Sequence, residues 1–429
     1  MRGRLCLCLA PVVAITPVLV QTASHNLQQT TTFQALLTPH TNLAKTIHQN
    51  LIQQNLTTPN QLQTTAFQTI FTNNKDTLIH APTGAGKTIA FLLPILAKLQ
   101  QKRMEPQALV LCPSRELAYQ TQRVAAMLME NTDLNALCIA GGANPGRQIE
   151  KLRKIRPQLL IGTAGRINEL AFETRKISLR KLSFLVLDEV DEAMVPPHLE
   201  HTLRIIEHTR SVRCGALQLA FASATCDTPA VRRAAYQLMK EPHLLRLAEE
   251  DKAGASLPDT ITHGLVLCQS NKLIETLTRF SRTTPTPKAL IFVNSPRRAR
   301  VVCELLQRYG VAADAVYGNQ EREERVSVMR DFVSNRVNFV VTTELGARGL
   351  DIPDLSHVIN LELPTDETHY VHRAGRCGRG GSVGVVVSIV GRGEAHVVRK
   401  HASRLGVDLS EMRVHAGHLE KVPVQAARN

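Results

Sequence analysis

The chain reads as an α/β protein of two tandem domains, each a mostly parallel sheet covered by helices on both faces. Three observations predict this. Short, nearly continuous apolar runs alternate with helical patterns, as expected for strands buried on both faces of a parallel sheet. The alternation halts at a polar segment, EEDKAGASLPD at 249–259, and then begins again. Its charge, Gly, Ser and Pro suit an exposed linker. The 429 residues also suffice for two or three domains at roughly 150 residues each.

In chain order, the first 30 residues stand apart. Arg2 and Arg4 precede an apolar run over 5–20 that Pro11, Thr16 and Pro17 interrupt. It is too short and too broken for a membrane-spanning helix. A basic start and an apolar stretch fit a secretory signal. The absence of acids before Asp76 fits a mitochondrial or plastid presequence. Reduced cysteines and the phosphate chemistry below favour the organelle, the mitochondrion first, with another organelle or the cytoplasm as alternatives. Residues 1–30 are therefore set aside as a targeting presequence.

The first domain is predicted over 31–248. Its opening, 21–75, is rich in Gln, Thr and Asn, yet 43–56 keeps helical apolar spacing. Strands are predicted at 77–81, 108–113, 136–140, 158–163, 184–188 and 218–223. The second domain is predicted over 260–400, with strands at 264–268, 289–293, 313–317, 338–342, 357–361 and 384–390. What remains, 401–429, reads as a short basic tail.

Composition narrows the partners. Trp is absent and aromatics make up 4%, so the cores must be aliphatic. The net charge of +14 suggests a polyanion, either nucleic acid or an acidic membrane surface. The nine Cys are scattered without a C-x-x-C pair, and Cys112, Cys138 and Cys268 fall inside apolar strands. That pattern indicates reduced, buried thiols, with neither a disulfide framework nor a zinc site.

Three motifs carry chemistry. The first predicted strand runs into APTGAGKT at 81–88, a phosphate-binding loop followed by a helix. Thr83, Gly84, Ala85 and Gly86 would let backbone N–H groups face an anion. Lys87 would reach the β- and γ-phosphates of ATP, and Thr88 would ligate Mg²⁺. The strand at 184–188 ends in DEVD at 188–191. Strand C-terminal ends are where an open α/β sheet puts its ligands. Asp188 would hold Mg²⁺, and Glu189 would activate the attacking water. Alone these acids could be a solvated turn, but Lys87 and Thr88 give them a partner. In the second domain, HRAGRCGR at 372–379 sets Arg376 and Arg379 on a compact cationic prong. That domain has no phosphate loop, so the prong's anion must come from elsewhere. ATP on the first domain is the obvious candidate.

With these motifs in order, the chain resembles a DEAD-box RNA helicase of superfamily 2, with DEVD as a variant of the name-giving motif. The resemblance runs from about 43 to 390 and implies two tandem RecA-like domains. PSRELA at 113–118 resembles PTRELA, Gly141-Gly142 the GG step, and TAGR at 163–166 TPGR. In the family these grip the RNA backbone, which implies RNA contacts at Arg115, Gly142, Thr163 and Arg166. SAT at 223–225 is similar to the segment linking hydrolysis to strand separation, so Ser223, Thr225 and His372 are expected to couple the two. IFVNS at 291–295 and TELGARGLD at 343–351 resemble the fourth and fifth motifs. They imply further RNA contacts at Asn294 and Thr343, and place Asp351 near the ribose of ATP. PNQLQ at 59–63 resembles the adenine-reading Q motif, with Gln63 as the reader. The chain departs at Val190 for Ala, Ala164 for Pro, Tyr317 for His, Arg322 for Gln, Glu344 for Asp and Asn60 for Thr.

The resemblance implies an RNA-dependent ATPase that opens short duplexes or remodels RNA–protein complexes. Its cofactors would be ATP and Mg²⁺. It would grip the RNA backbone without reading sequence, act with protein partners, have no membrane role and by default be a monomer. Assembly of the mitochondrial ribosome would be a natural task. The alternatives are an ATP-gated RNA clamp with little turnover, and a DNA-directed motor.

Overall fold

The computed structural model describes residues 32–37, 42–82, 84–212, 216–226, 228–246, 257, 260–283, 288–318, 320–347, 352, 355–378, 382–415 and 418–422. The expected presequence, most of the linker, and Thr83, Asp351 and Arg379 lie outside the described residues.

The first domain is built on β1 (Thr77–His80), β2 (Ala108–Cys112), β3 (Ala136–Ile139), β4 (Leu159–Thr163), β5 (Phe184–Asp188), β6 (Gln218–Ser223) and β7 (His243–Arg246). These form one seven-stranded sheet in the order β3-β4-β2-β5-β6-β1-β7, with every pairing parallel. Neighbouring side chains along β2 enter opposite cores. Ala108, Val110 and Cys112 join one cluster, Leu109 and Leu111 the other. A period of two with both faces buried is why the strands read as unbroken apolar runs.

The polar opening of this domain is folded. Leu43, Ala44, Ile47 and Leu51 line one side of the helix Asn42–Gln53 and are buried. From the same helix, Asn50 donates to the carbonyls of Leu128 (3.0 Å) and Glu130 (2.7 Å). A buried carboxylate fixes the far edge. Asp76 accepts from the backbone N–H groups of Leu219 and Lys240, both at 2.8 Å, so β1 is tied to β6 and to the approach to β7.

The second domain carries β8 (Ile261–Cys268), β9 (Ala289–Phe292), β10 (Ala313–Val316), β11 (Phe339–Thr342), β12 (His357–Asn360), β13 (Gly384–Gly391), β14 (Leu409–His415) and β15 (His418–Lys421). They form an eight-stranded sheet in the order β10-β11-β9-β12-β13-β8-β14-β15. Among the described residues of this domain, only β14 and β15 pair antiparallel.

The structure corrects the expected tail from 401 onward. The helix Ala395–Leu405 ends on Gly406 (φ 67°) in the left-handed region. β14 then pairs with β8 and turns back as β15, so the domain continues to Lys421. β15 is the edge strand and β14 lies beside it; their side chains are mostly half-exposed or exposed, and they lack the apolar run that marks a central strand. β7 escaped notice for the same reason, being four residues long at the opposite sheet's edge. At the front of the domain, Leu257 is buried in the second domain's core.

Candidate nucleotide and nucleic-acid sites

β1 delivers the phosphate loop. Gly84 (φ 87°) and Gly86 (φ 82°) sit in the left-handed region that L side chains rarely adopt. Gly86 is constrained twice, because a Cβ there would lie 2.5 Å from Nε2 of Gln63. The helix Lys87–Lys98 follows, with its first-turn N–H groups turned toward the loop. Lys87 Nζ donates to the carbonyls of Ala81 (2.6 Å) and Pro82 (2.9 Å). Burial lowers the pKa of this ammonium, against the pull of Asp188 and Glu189.

β5 brings the two carboxylates to the same place. Burial, then the charge of Glu189, pushes Asp188 up to about 7. Glu189 has φ 48°, a left-handed conformation for a side-chain-bearing residue. Such backbone costs of order 1–3 kcal/mol and clusters at functional sites. The carboxylates of Asp188 and Glu189 and the hydroxyl of Thr88 on the phosphate loop are hard oxygen donors, the kind that suits a divalent cation. Thr88 and Asp188 therefore fit Mg²⁺.

Asn60 and Gln63 close the loop from the side. Asn60 caps the helix Gln61–Phe67, accepting from Gln63 N (2.9 Å) while Gln63 Oε1 accepts from Asn60 N (3.0 Å). The Asn60 amide donates to Ala85 O at 2.9 Å, so the Thr-to-Asn departure still serves the phosphate loop. Gln63 is buried in this capping box against Gly86.

The residues expected to couple the domains converge on Asp191. Ser223 Oγ donates to its Oδ1 at 2.8 Å, and Thr225 Oγ1 donates to Oδ2. From the second domain, His372 Nε2 lies 3.3 Å from the same Oδ2. Burial opposes charge on His372, but the Asp191 hydrogen bond and charge outweigh it and lift the imidazole to about 9. Burial likewise opposes charge on Asp191, yet His372, Thr225 and Ser223 hold its carboxyl well below the usual range. The link between the domains is thus an ion pair.

Arg376 is buried beside this link, with Nε donating to His372 O at 3.2 Å. Arg379 lies outside the described residues. Asp191 belongs to the quoted tetrapeptide, but nothing in the sequence shows that it faces both SAT and His372. A second bridge joins residues that no sequence motif pairs. Arg325 pairs with Glu116 of the first domain at 3.0 Å and donates to Gly346 O at 2.8 Å.

The expected RNA contacts gather at the C-terminal ends of β2, β3 and β4. Arg115 begins the helix Arg115–Leu128, capped by Ser114. Its guanidinium lies over Gly142 (φ 78°), where a Cβ would sit 1.8 Å from Nη1. Thr163 Oγ1 accepts from Gly141 N at 3.3 Å. Arg166 is spent inside the domain, on Ala143 O (2.9 Å), Gln148 Oε1 (3.0 Å) and Glu169 Oε2 (2.8 Å). That makes it a brace for the loop holding Gly142. In the second domain Thr343 follows β11, and its Oγ1 accepts from Gly346 N at 3.1 Å. Asn294 follows the adjacent β9 and accepts from Arg373 at 3.2 Å. Arg373, 1% exposed, also holds Glu344, Asn360 and Glu362 O. It stands inside HRAGRCGR, where nothing in the local spacing marks it as a brace.

A phosphate loop on one parallel sheet, with a histidine of a second domain paired to the acidic turn of the first, is the build of a nucleotide-driven two-domain motor. Comparison with known proteins agrees. The DEAD/DEAH box helicase model matches residues 60–234, and the helicase conserved C-terminal domain model matches 269–381. YfmL of Bacillus subtilis is 35% identical over 376 residues, 86% of this chain and 96% of that protein. The DEAD-box ATP-dependent RNA helicase CshC of Bacillus cereus is 32% identical over 368 residues, 86% of this chain and 91% of its own. The structure of S. cerevisiae Dbp5 bound to RNA and ADP BeF3 superposes with a TM-score of 0.76 at 27% identity, covering 86% of this chain and 94% of that one. The chain belongs to the DEAD/DEAH box helicase family, a family of ATP-hydrolysing enzymes.

Proposed function

We propose that this chain is an ATP-dependent RNA helicase that opens short RNA duplexes or remodels RNA–protein complexes, with DEVD as its working acidic motif. The observation that carries the reading is the convergence of Ser223, Thr225 and, from the other domain, His372 on Asp191. Asp191 lies three residues after Asp188 on the same turn, so a change at the phosphate end of that turn is felt across the domain boundary.

In this reading Lys87 neutralises the outer phosphates of ATP. Thr88 and Asp188 would hold Mg²⁺, which screens phosphate charge when bound. Glu189 accepts a proton from the attacking water as its oxygen bonds to the γ-phosphorus. The bond to the bridging oxygen breaks, leaving ADP and phosphate. Arg376 and Arg379 stabilise charge on the transferred group; such arginines are worth ~10³–10⁵ in rate. Arg115, Gly142, Thr163, Asn294 and Thr343 hold the RNA backbone, with Arg166 supporting the loop of Gly142.

The acid-free, basic N-terminus supports an organelle, the mitochondrion first. Abundant structured RNA there makes ribosome assembly the natural task. The chain would act as a monomer directed by protein partners.

Strand displacement tests the proposal. A short labelled RNA duplex with a single-stranded overhang should be separated by the protein with ATP and Mg²⁺, and Glu189→Gln should bind the RNA without displacing strands. Binding without displacement or turnover in the unmutated protein would refute the helicase and leave an ATP-gated clamp.

A further inference from the structure

A cavity of about 330 Å³ opens where β9 and β11 end, lined by Asn294, Gly318, Thr343, Leu345, His369 and Arg373 among others. Asn294 and Thr343 are already expected on RNA. His369 is not: it matches none of the motifs that carry the resemblance to the family.

His369 sits in the first turn of the helix Glu367–Ala374. Asp366 caps that helix by accepting from His369 N at 2.9 Å. The same carboxylate oxygen lies 2.8 Å from His369 Nδ1, and Thr365 Oγ1 lies 3.1 Å from that nitrogen. Burial works against the Asp366 charge, but the backbone and ring of His369 hold its carboxyl below the ordinary range. An ionised carboxylate can only accept, so Nδ1 carries the proton. With Nδ1 turned to Asp366, Nε2 is the ring nitrogen left to face a ligand. The side chain is 34% exposed, open enough to meet a ligand.

We infer that His369 Nε2 accepts a hydrogen bond from a ribose 2′-hydroxyl, which makes His369 a determinant of RNA over DNA on the second domain. The backbone contacts cannot draw this distinction, because phosphates are common to both polymers. The 2′-hydroxyl is the donor that only RNA brings. The inference rests on the RNA reading above and adds a specific residue to it.

The test measures the affinity of the full chain for a single-stranded RNA and for DNA of the same sequence, with His369→Phe and His369→Gln beside the unmutated protein. His369→Phe should weaken RNA binding about three- to tenfold, the worth of one hydrogen bond, and leave DNA binding unchanged. His369→Gln keeps a side-chain acceptor and should recover part of the RNA preference. Equal weakening on RNA and DNA would overturn the inference, since it would mean a backbone or structural role. No change in either would overturn it as well. If the unmutated protein bound no RNA, the helicase reading would fail first and take this inference with it.

Discussion

Asp191 ties two hydroxyls of its own domain to a histidine of the other, so its effect should appear in coupling more than in binding. Asp191→Asn and His372→Ala are expected to lower RNA-stimulated ATP turnover by an order of magnitude or more while leaving ATP affinity within a few-fold. A double-mutant cycle on turnover should give a coupling of roughly 0.5–3 kcal/mol, as for contacting residues. Strict additivity would mean that the contact carries nothing. The pair also sets a pH window. His372 is raised from 6.5 to about 9, so its contribution to domain closure is complete below about 6.5 and is lost as pH climbs through 9. Asp191 is depressed below 3.8, so its share is full above that value and is lost in acid. RNA-stimulated turnover should therefore fall as pH passes 9, measured as kcat against pH. His372→Gln should flatten that limb.

At the scale of elements, Gly142 lets the Arg115 guanidinium lie over its own backbone. Gly142→Ala would press a Cβ into the Arg115 guanidinium and strain a left-handed backbone. It should weaken RNA binding several-fold with little change in ATP binding, read by titration of each ligand. Strand edges offer a stability test. Asp76→Ala would strand the backbone N–H groups of Leu219 and Lys240 and should destabilise the first domain by about 1–3 kcal/mol in urea denaturation. A loss below about 0.5 kcal/mol would show that water satisfies those groups. The central strands were legible in the sequence to within a residue or three, because burial on both faces forces unbroken apolar runs. β7, β14 and β15 were not, because most of their side chains are half-exposed or exposed, and those runs look like loop or tail.

At the scale of the whole molecule, the site was legible as motifs and not as contacts. Lys87, Asp188 and Glu189 are named by local spacing, since one strand and its following turn position each of them. Arg325 and Glu116 lie in different domains, so no local pattern could pair them. Within the second domain, Arg373 ties together Asn294, Glu344 and Asn360, which are far apart in sequence; Asp191 and His372, like Arg325 and Glu116, bridge the two domains. These bridges imply that the two domains act as one enzyme. Glu116→Gln should reduce RNA-stimulated turnover while leaving the melting of each domain nearly unchanged, because its pairing with Arg325 spans the boundary and not a core.

Steady-state ATPase activity with and without structured RNA, for the unmutated protein beside Glu189→Gln, tests the central claim most directly. Strong stimulation by RNA that disappears in Glu189→Gln is the result expected of an RNA-driven motor with Glu189 as its base. Turnover indifferent to RNA, or unchanged in Glu189→Gln, would contradict it.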